Sequence, residues 1–421
     1  MKRTLFSYWI FLIFFLGTTP SRAQKTINDL PEFHRRDGLP NFFEKVKSGK
    51  PVSIAYLGGS ITEASNGWRD LTFNKFQSDY ANTEFTQINA AIGGTGSNLG
   101  VFRLERDVLL HDPDLVFVEF AVNDGNGPAA AIHKSMEGIV RKIWKHNPMT
   151  DICFVYTIAE NVIKPLQEGT YQISAAAMEQ IAQHYGIPSI HMGVEVIRLM
   201  EQGKLIFTGN PEEHPDKIVF TKDRTHPLSA SGHPIYAQVV DRNFAKMKIT
   251  SGTKKHQLKK PFDDDNWENA QMIPLTQLSR NDQWSELPPS NEFIQKFSRS
   301  ISVLSNANSP GASFTIQFKG KVLGVYDLIG PQSGIVEVVV DNKPATEITR
   351  FDAYCNYYRR NAFFIKDLSE GLHTVTFTVT GKEFDKAAIL AKRNIPFEDP
   401  ENYQVNSWLV NNVLLVGDWI K

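Results

Sequence analysis

Ile54-Ala55-Tyr56-Leu57-Gly58-Gly59-Ser60-Ile61-Thr62 is an apolar run that stops at two glycines and delivers a serine. Consecutive apolar residues closed by a glycine pair read as a strand covered on both faces, the kind found in parallel sheets. Four further runs have the same character: Phe85–Asn89, Leu115–Ala121, Ile152–Thr157 and Ile187–His191. Between them the period changes to that of helices. Val101, Leu104 and Val108 make one stripe, and Ile132, Met136, Ile139, Val140, Ile143 and Trp144 make a longer one. Ile235, Tyr236, Val239 and Val240 give a last helix one apolar face. Buried strands alternating with amphipathic helices predict an α/β fold, a parallel sheet with helices on both faces.

Outside this region the chain changes twice. Lys2 and Arg3 precede an apolar stretch from Leu5 to Leu16, and small residues follow up to Ala23. That is the pattern of a secretory signal peptide over residues 1–23, which predicts a secreted or periplasmic protein, and the apolar run is short for a membrane span. The α/β domain then occupies residues 24–249. Residues 250–272, opening Thr250-Ser251-Gly252-Thr253-Lys254-Lys255-His256, are polar and aperiodic and read as a linker. From 273 to 421 the helical stripes give way to β-rich runs separated by turns: Phe297–Leu304, Ser313–Phe318, Val322–Leu328, Ile335–Val340, Phe363–Ile365, His373–Val379 and Trp408–Leu415. Several alternate, as in Thr374-Val375-Thr376-Phe377, which predicts an antiparallel β-sandwich. At 421 residues, two domains are the expected number.

The 45 basic and 46 acidic residues are interspersed and leave a net charge of −1. Neither a nucleic-acid partner nor an anionic membrane surface is indicated. The two cysteines, Cys153 and Cys355, fall in different domains and read as buried free thiols.

In an open parallel sheet, ligands bind beyond the carboxyl ends of the strands. Ser60 follows the first strand, Gly93 and Gly94 the second, and Asn123 and Asp124 the third, while Asp223 and His226 stand before the last helix. A hydrolase needs a nucleophile, a base and oxyanion donors converging on one carbonyl, and this set supplies all three on one rim. Each element alone has a plainer reading. Ser60 fits a helix cap, the glycine clusters fit turns, and Asp223-x-x-His226 fits a loop ion pair or half a metal site. The P-loop spacing and its lysine are missing, which argues against a phosphate cradle, and His191, His214 and His233 have no partner at metal-ligand spacing. His233 falls on the last helix and reads as structural.

Gly58-Gly59-Ser60-Ile61-Thr62, Asn89-Ala90-Ala91-Ile92-Gly93-Gly94-Thr95, Val122-Asn123-Asp124 and Asp223-Arg224-Thr225-His226-Pro227 resemble, in order, the four sequence blocks of the SGNH (GDSL-like) hydrolases. The resemblance runs from about Ile54 to about Asn243. It departs from the namesake motif at Gly59, where that motif has aspartate, and so resembles the family's Gly-Gly-Ser branch. It implies a flavodoxin-like sheet and a catalytic triad of Ser60, His226 and Asp223. It also implies an oxyanion hole from the N–H groups of Ser60 and Gly94 and the Asn123 amide, with Gly93 the alternative by one residue of register. Glycine at 94 is expected to spare the substrate a side chain. No metal or organic cofactor is implied.

An export signal and an appended sandwich point to an extracellular polymer, and the family contains many carbohydrate esterases, so an acetylated polysaccharide is the expected substrate. Two alternatives stand beside this: a lipid or acyl-thioester hydrolase, and a glycan-binding protein with a relict site. The first would need an apolar flap over Ser60, but Glu63-Ala64-Ser65-Asn66-Gly67-Trp68-Arg69 is short and polar. The second fits poorly with every catalytic position being filled. Phe351-Asp352-Ala353-Tyr354-Cys355-Asn356-Tyr357-Tyr358-Arg359-Arg360 offers rings and guanidiniums suited to stacking on sugars, or equally to packing between domains. Gly371-Leu372-His373-Thr374-Val375 resembles a motif of galactose-binding-like sandwiches, an architectural signal. No substrate-binding residue can be assigned from the sequence.

Overall fold

The computed structural model describes residues 25–248, 252–365 and 368–421. The expected signal peptide lies outside them, as do residues 249 and 250 at the expected end of the first domain.

Six strands of the first domain, β1 (Phe33–His34), β2 (Val52–Gly58), β3 (Phe85–Asn89), β4 (Leu115–Glu119), β5 (Asp151–Tyr156) and β6 (Ser189–His191), form one sheet ordered β1-β6-β5-β4-β2-β3. All neighbours run parallel except β1, which lies antiparallel on β6. Every residue of β4 and β5 is buried. Alternation along the strands then divides the core in two. Ala55, Leu57, Val116, Val118 and Phe154 face the helices Ser97–Asp107, Ala129–His146 and Ile173–Tyr185. Ile54, Tyr56, Phe117, Cys153 and Val155 face Pro40–Lys47, Trp68–Asp79, Gly193–Glu201 and Gly232–Phe244. These two layers are why the strands read as unbroken apolar runs.

Three local expectations are corrected. The third run ends as a strand at Glu119, and Ala121–Asp124 is a single helical turn that turns Asn123 back toward the rim. The two-residue β1 was not anticipated, nor was the separate parallel pair β7 (Leu205–Thr208) and β8 (Ile218–Thr221). β8 matters because it leads directly into Asp223.

The described part of the linker is strapped to the first domain. The His256 ring stacks on Trp144 at 4.7 Å, and its Nε2 lies 2.7 Å from Asp151 Oδ1. Glu137 accepts from the N–H groups of Phe262 and Asp263, at 2.6 and 2.8 Å. By Ala270 the chain is already a strand, so the last residues of the expected linker belong to the second sheet.

That sheet is antiparallel throughout: β9 (Ala270–Pro274), β10 (Ser279–Arg280), β11 (Ser285–Glu286), β12 (Ser305–Ala307), β13 (Ser313–Ile329), β14 (Ile335–Val340), β15 (Thr346–Thr349), β16 (Arg359–Phe364), β17 (Gly371–Val379) and β18 (Trp408–Ile420). The long β13 pairs with β17 over its first half and β16 over its second, and folds the sheet over a core that includes Phe314, Phe318, Val338, Phe377 and Trp408. Phe297–Leu304, expected as a strand, is instead a string of turns after the short helix Glu292–Lys296. Its buried residues explain the misreading: Phe297, Ile301 and Leu304 recur at helical spacing and point into the seam between domains. There they join a cluster that also holds Leu99, Phe102, Tyr326, Leu328 and Leu414. The Phe102 ring lies 5.6 Å from Trp267 and 5.8 Å from Phe364. Cys153 and Cys355 are both buried and free, in separate clusters.

Candidate active site

β2 ends at Gly58, and Ser60 opens the helical turn Ser60–Glu63, with Gly59 as the capping residue. The Ser60 hydroxyl therefore does not cap the helix. Its Oγ lies 2.8 Å from His226 Nε2, and His226 Nδ1 lies 2.7 Å from Asp223 Oδ2. This arrangement puts the ring proton on Nδ1 and leaves Nε2 to accept from serine.

The loop carrying the pair is held by its own aspartate. Asp223 Oδ1 accepts from the N–H groups of Thr225 (3.0 Å) and His226 (2.8 Å) and from the Thr221 hydroxyl (3.0 Å). The turn places Arg224 in the left-handed region, at φ +71°. Burial raises the Asp223 carboxyl, but the His226 N–H, the imidazole, the Thr225 N–H and the Thr221 hydroxyl together outweigh it and hold the group well below the usual carboxylate range. Asp223 thus stays ionised at neutral pH.

Asn123 and the glycines of the second block flank the nucleophile turn. A Cβ built on Gly59 would come within 1.8 Å of Asn123 Oδ1, so the amide occupies the space a side chain at 59 would need. A Cβ on Gly93 would meet Glu63 Oε2 at 2.8 Å and Ser60 Cβ at 3.4 Å. Gly94 differs: no protein atom lies within 4 Å of where a Cβ would sit, and its φ is +73°. The positive φ at 94 by itself favours glycine, while among protein atoms it is a side chain at 93 that would be crowded. The Gly93 N–H already donates to Glu63 Oε2 at 2.6 Å. Among the described residues the N–H groups of Ser60 and Gly94 have no acceptor.

Two buried carboxyls lie beneath this surface. Glu119 accepts from the hydroxyls of Thr62 (2.8 Å) and Thr157 (2.5 Å), and burial pushes its carboxyl up against those bonds. Asp124 accepts from the Ser97 N–H at 2.8 Å, and burial pushes it up to about 6. His233 lies apart from the catalytic chain: it is buried, and its Nδ1 accepts the Trp68 N–H at 3.0 Å. His191 is likewise buried, on Gln172. No group of three metal-ligating side chains occurs among the described residues.

Sequence reasoning did not single out Glu63, which bonds Gly93, or Arg299, which bonds Glu63 at 2.8 Å from 236 positions away. Glu63 was visible only as part of a polar loop, and nothing in the sequence ties it to Arg299. That loop is no flap: Trp68 and Arg69 are buried. The aromatic stretch divides. Phe351 is buried and Tyr358 packs on Phe293 at 4.5 Å, while Tyr354 and Tyr357 are exposed. Gly371 opens β17, where His373 is buried and bonded to Asp341.

Residues 56–232 match the family described as GDSL-like lipase/acylhydrolase, a span of less than half the chain. No curated protein sequence matches. Among solved structures, a two-domain esterase active on acetylated mannans aligns at a TM-score of 0.69 with 21% identity, over 92% of this chain and 97% of that one. The same kind of esterase co-crystallised with mannopentaose gives 0.70 and 20%, with the same coverage. At this identity the likeness is one of fold, and it extends across both domains. Residues 56–232 are thus similar to the GDSL-like lipase/acylhydrolase family, and the chain as a whole shares with those solved structures a two-domain fold, an α/β domain followed by an antiparallel β-sandwich.

Proposed function

We propose that this protein is a serine esterase that removes acetyl groups from an extracellular polysaccharide. The observation that carries the reading is the unbroken hydrogen-bonded chain Ser60–His226–Asp223, at 2.8 and 2.7 Å, lying beside two backbone N–H groups without acceptors. Ser60 Oγ attacks the ester carbonyl while His226 Nε2 takes its proton, and the imidazolium that forms is stabilised by Asp223. The oxyanion is met by the N–H groups of Ser60 and Gly94 and by the Asn123 amide. His226 then gives that proton to the departing sugar oxygen, which leaves as a free hydroxyl, and a water activated by His226 releases acetate from the acyl-serine.

The substrate class rests on the surroundings. The His226 and Asp223 side chains are 49% and 56% exposed, so the site is open enough for a chain-like substrate to lie across it. The packed, polar segment after Ser60 offers no apolar cover of the kind a lipase flap provides. Solved two-domain esterases of the same architecture act on acetylated mannans, which makes an acetylated plant or microbial polysaccharide the first choice. On this reading the chain is exported, with residues 1–23 removed. A flavodoxin-type sheet is part of this reading, supported by the order of its five parallel strands, which numbered among themselves run 2-1-3-4-5.

Replacing Ser60 by alanine is expected to lower turnover of 4-nitrophenyl acetate and acetate release from acetylated glycan by about 10⁴-fold or more, with the fold intact by circular dichroism. Undiminished turnover refutes the mechanism. Acetate release across acetylated mannans, xylans and pectins, beside short and long acyl esters, tests the substrate class, and a preference for long acyl chains would favour a lipid substrate.

A further inference from the structure

Arg299 belongs to the sandwich half of the chain, in the segment between β11 and β12, yet three of its hydrogen bonds end in the catalytic domain. Its Nη1 meets Glu63 Oε1 at 2.8 Å, and its Nη2 meets the carbonyls of Asn89 and Ala91 at 3.0 and 3.1 Å. Those two carbonyls lie at the end of β3 and in the segment that leads from it to Gly93 and Gly94. Glu63 uses its other oxygen, Oε2, on the Gly93 N–H, and its own N–H is fixed to the Gly59 carbonyl at 2.9 Å. One arginine therefore grips the glycine turn twice directly and a third time through a carboxylate that sits one helical turn past the nucleophile.

The turn needs such a grip. Two successive glycines resist rotation weakly, and Gly94 stands at φ +73°, a conformation its own sequence does not enforce. If the peptide between them rotates, the Gly94 N–H leaves the direction of the oxyanion. An N–H misplaced by about 1 Å is enough to cost a large factor in rate. Arg299 is itself held in place. The adjacent Ser300 carbonyl accepts from Arg106 at 2.7 Å, and Phe297 and Ile301 are buried in the seam.

We propose that Arg299 and Glu63 are positioning residues for the oxyanion hole. On this proposal Arg299 orients Glu63, Glu63 fixes the Ile92–Gly93 peptide, and the next peptide, which carries the Gly94 N–H, is aimed from that anchored end, so that the sandwich completes the catalytic geometry. The proposal rests on the esterase reading above and adds that the second domain acts on the chemical step with no need to touch the substrate.

The test is steady-state turnover of 4-nitrophenyl acetate, too small to span the two domains, by full-length wild type, Arg299→Met, Glu63→Gln, the double variant and Arg299→Lys. Inhibition by phenylboronic acid, which forms a tetrahedral adduct with an active serine, is measured on the same set. The expected result is a fall in kcat of about tenfold to a hundredfold in each single variant, with KM within about twofold. Phenylboronic acid affinity falls in parallel, the double variant is no worse than the weaker single, and Arg299→Lys recovers part of the loss. An unchanged kcat in Arg299→Met overturns the proposal, as does a rise in KM alone, which would make Arg299 a substrate contact. Strictly multiplicative losses in the double variant also overturn it. If Arg299→Met fails to fold, Arg299→Lys and Glu63→Gln decide by the same criteria. Inactive wild type, or an active Ser60→Ala, sinks the esterase reading instead, so the two failures are distinguishable.

Discussion

A methyl group at position 59 would collide with Asn123, and that single contact separates what could be read at the residue scale from what could not. Ser60, Asp223 and His226 were identifiable because nucleophile, carboxylate and imidazole are chemically distinctive and fall at strand exits. Gly59 was visible only as a departure from a motif. Its physical reason, the 1.8 Å approach to the Asn123 amide, exists only once β2 and β4 lie side by side. Gly94 was singled out for the room a substrate would need, and its positive φ is a second reason for glycine that a residue letter does not reveal. Two substitutions follow from the contact. On the proposed mechanism Asn123→Ala removes one oxyanion donor and is expected to lower kcat by about 10² to 10³-fold with little change in KM. Gly59→Ala keeps every donor in the sequence but displaces the Asn123 amide, so it is expected to produce a loss of the same order. A Gly59→Ala enzyme with wild-type kcat on 4-nitrophenyl acetate would show that Asn123 has no part in the hole.

Elements were legible where their period was unambiguous. The β5 run and the helix Ala129–His146 were legible without the structure, because apolar residues repeated long enough to exclude the alternative period. Phe297–Leu304 failed for the converse reason: a short apolar run in a β-rich half reads as a strand unless its i, i+4, i+7 spacing is weighed more heavily. His233 shows an element-level role that sequence could only call structural. It sits at the start of helix Gly232–Phe244 and accepts the first N–H of helix Trp68–Asp79, so it joins two helix starts and must stay unprotonated at Nδ1 to do so. Burial, with the nearby His226, pushes it down to about 4. The folded state therefore binds fewer protons than the unfolded chain between about pH 6.5 and 4, and this residue's contribution to stability is present above pH 6.5 and lost as pH falls through 4. A glutamine there can accept the same N–H without titrating. Relative to His233→Gln, the wild type is expected to lose ~3 kcal/mol of stability over that interval. Parallel stability curves for the two proteins, from urea unfolding at a series of pH values, would refute the assignment.

At the scale of the whole molecule, the two main sheets are separate in topology but not in energetics. A polar, aperiodic stretch looks like a tether, yet His256, Phe262 and Asp263 bond the first domain, and one apolar cluster continues across the seam from Val101 and Phe102 to Ile301, Tyr326 and Leu414. Composition could not reveal this, because partners in a seam are set by long-range packing that leaves no local period. Two cores that share a cluster should lose it together, since opening the seam exposes large apolar side chains at ~25 cal/mol per Å². The chain is therefore expected to unfold in one calorimetric transition, with van't Hoff and calorimetric enthalpies agreeing. A chain ending at residue 248 would leave the outer faces of helices Ser97–Asp107 and Ala129–His146 bare. It should show a midpoint lower by about 10 °C or more and should bind a hydrophobic dye. It would also lack Arg299, so any fraction that stays folded should turn over 4-nitrophenyl acetate no faster than Arg299→Met. Two resolved transitions in the full chain, together with a truncated domain of unchanged midpoint, would mean that the seam is a contact between independent units and that the sandwich contributes nothing to the stability of the catalytic fold.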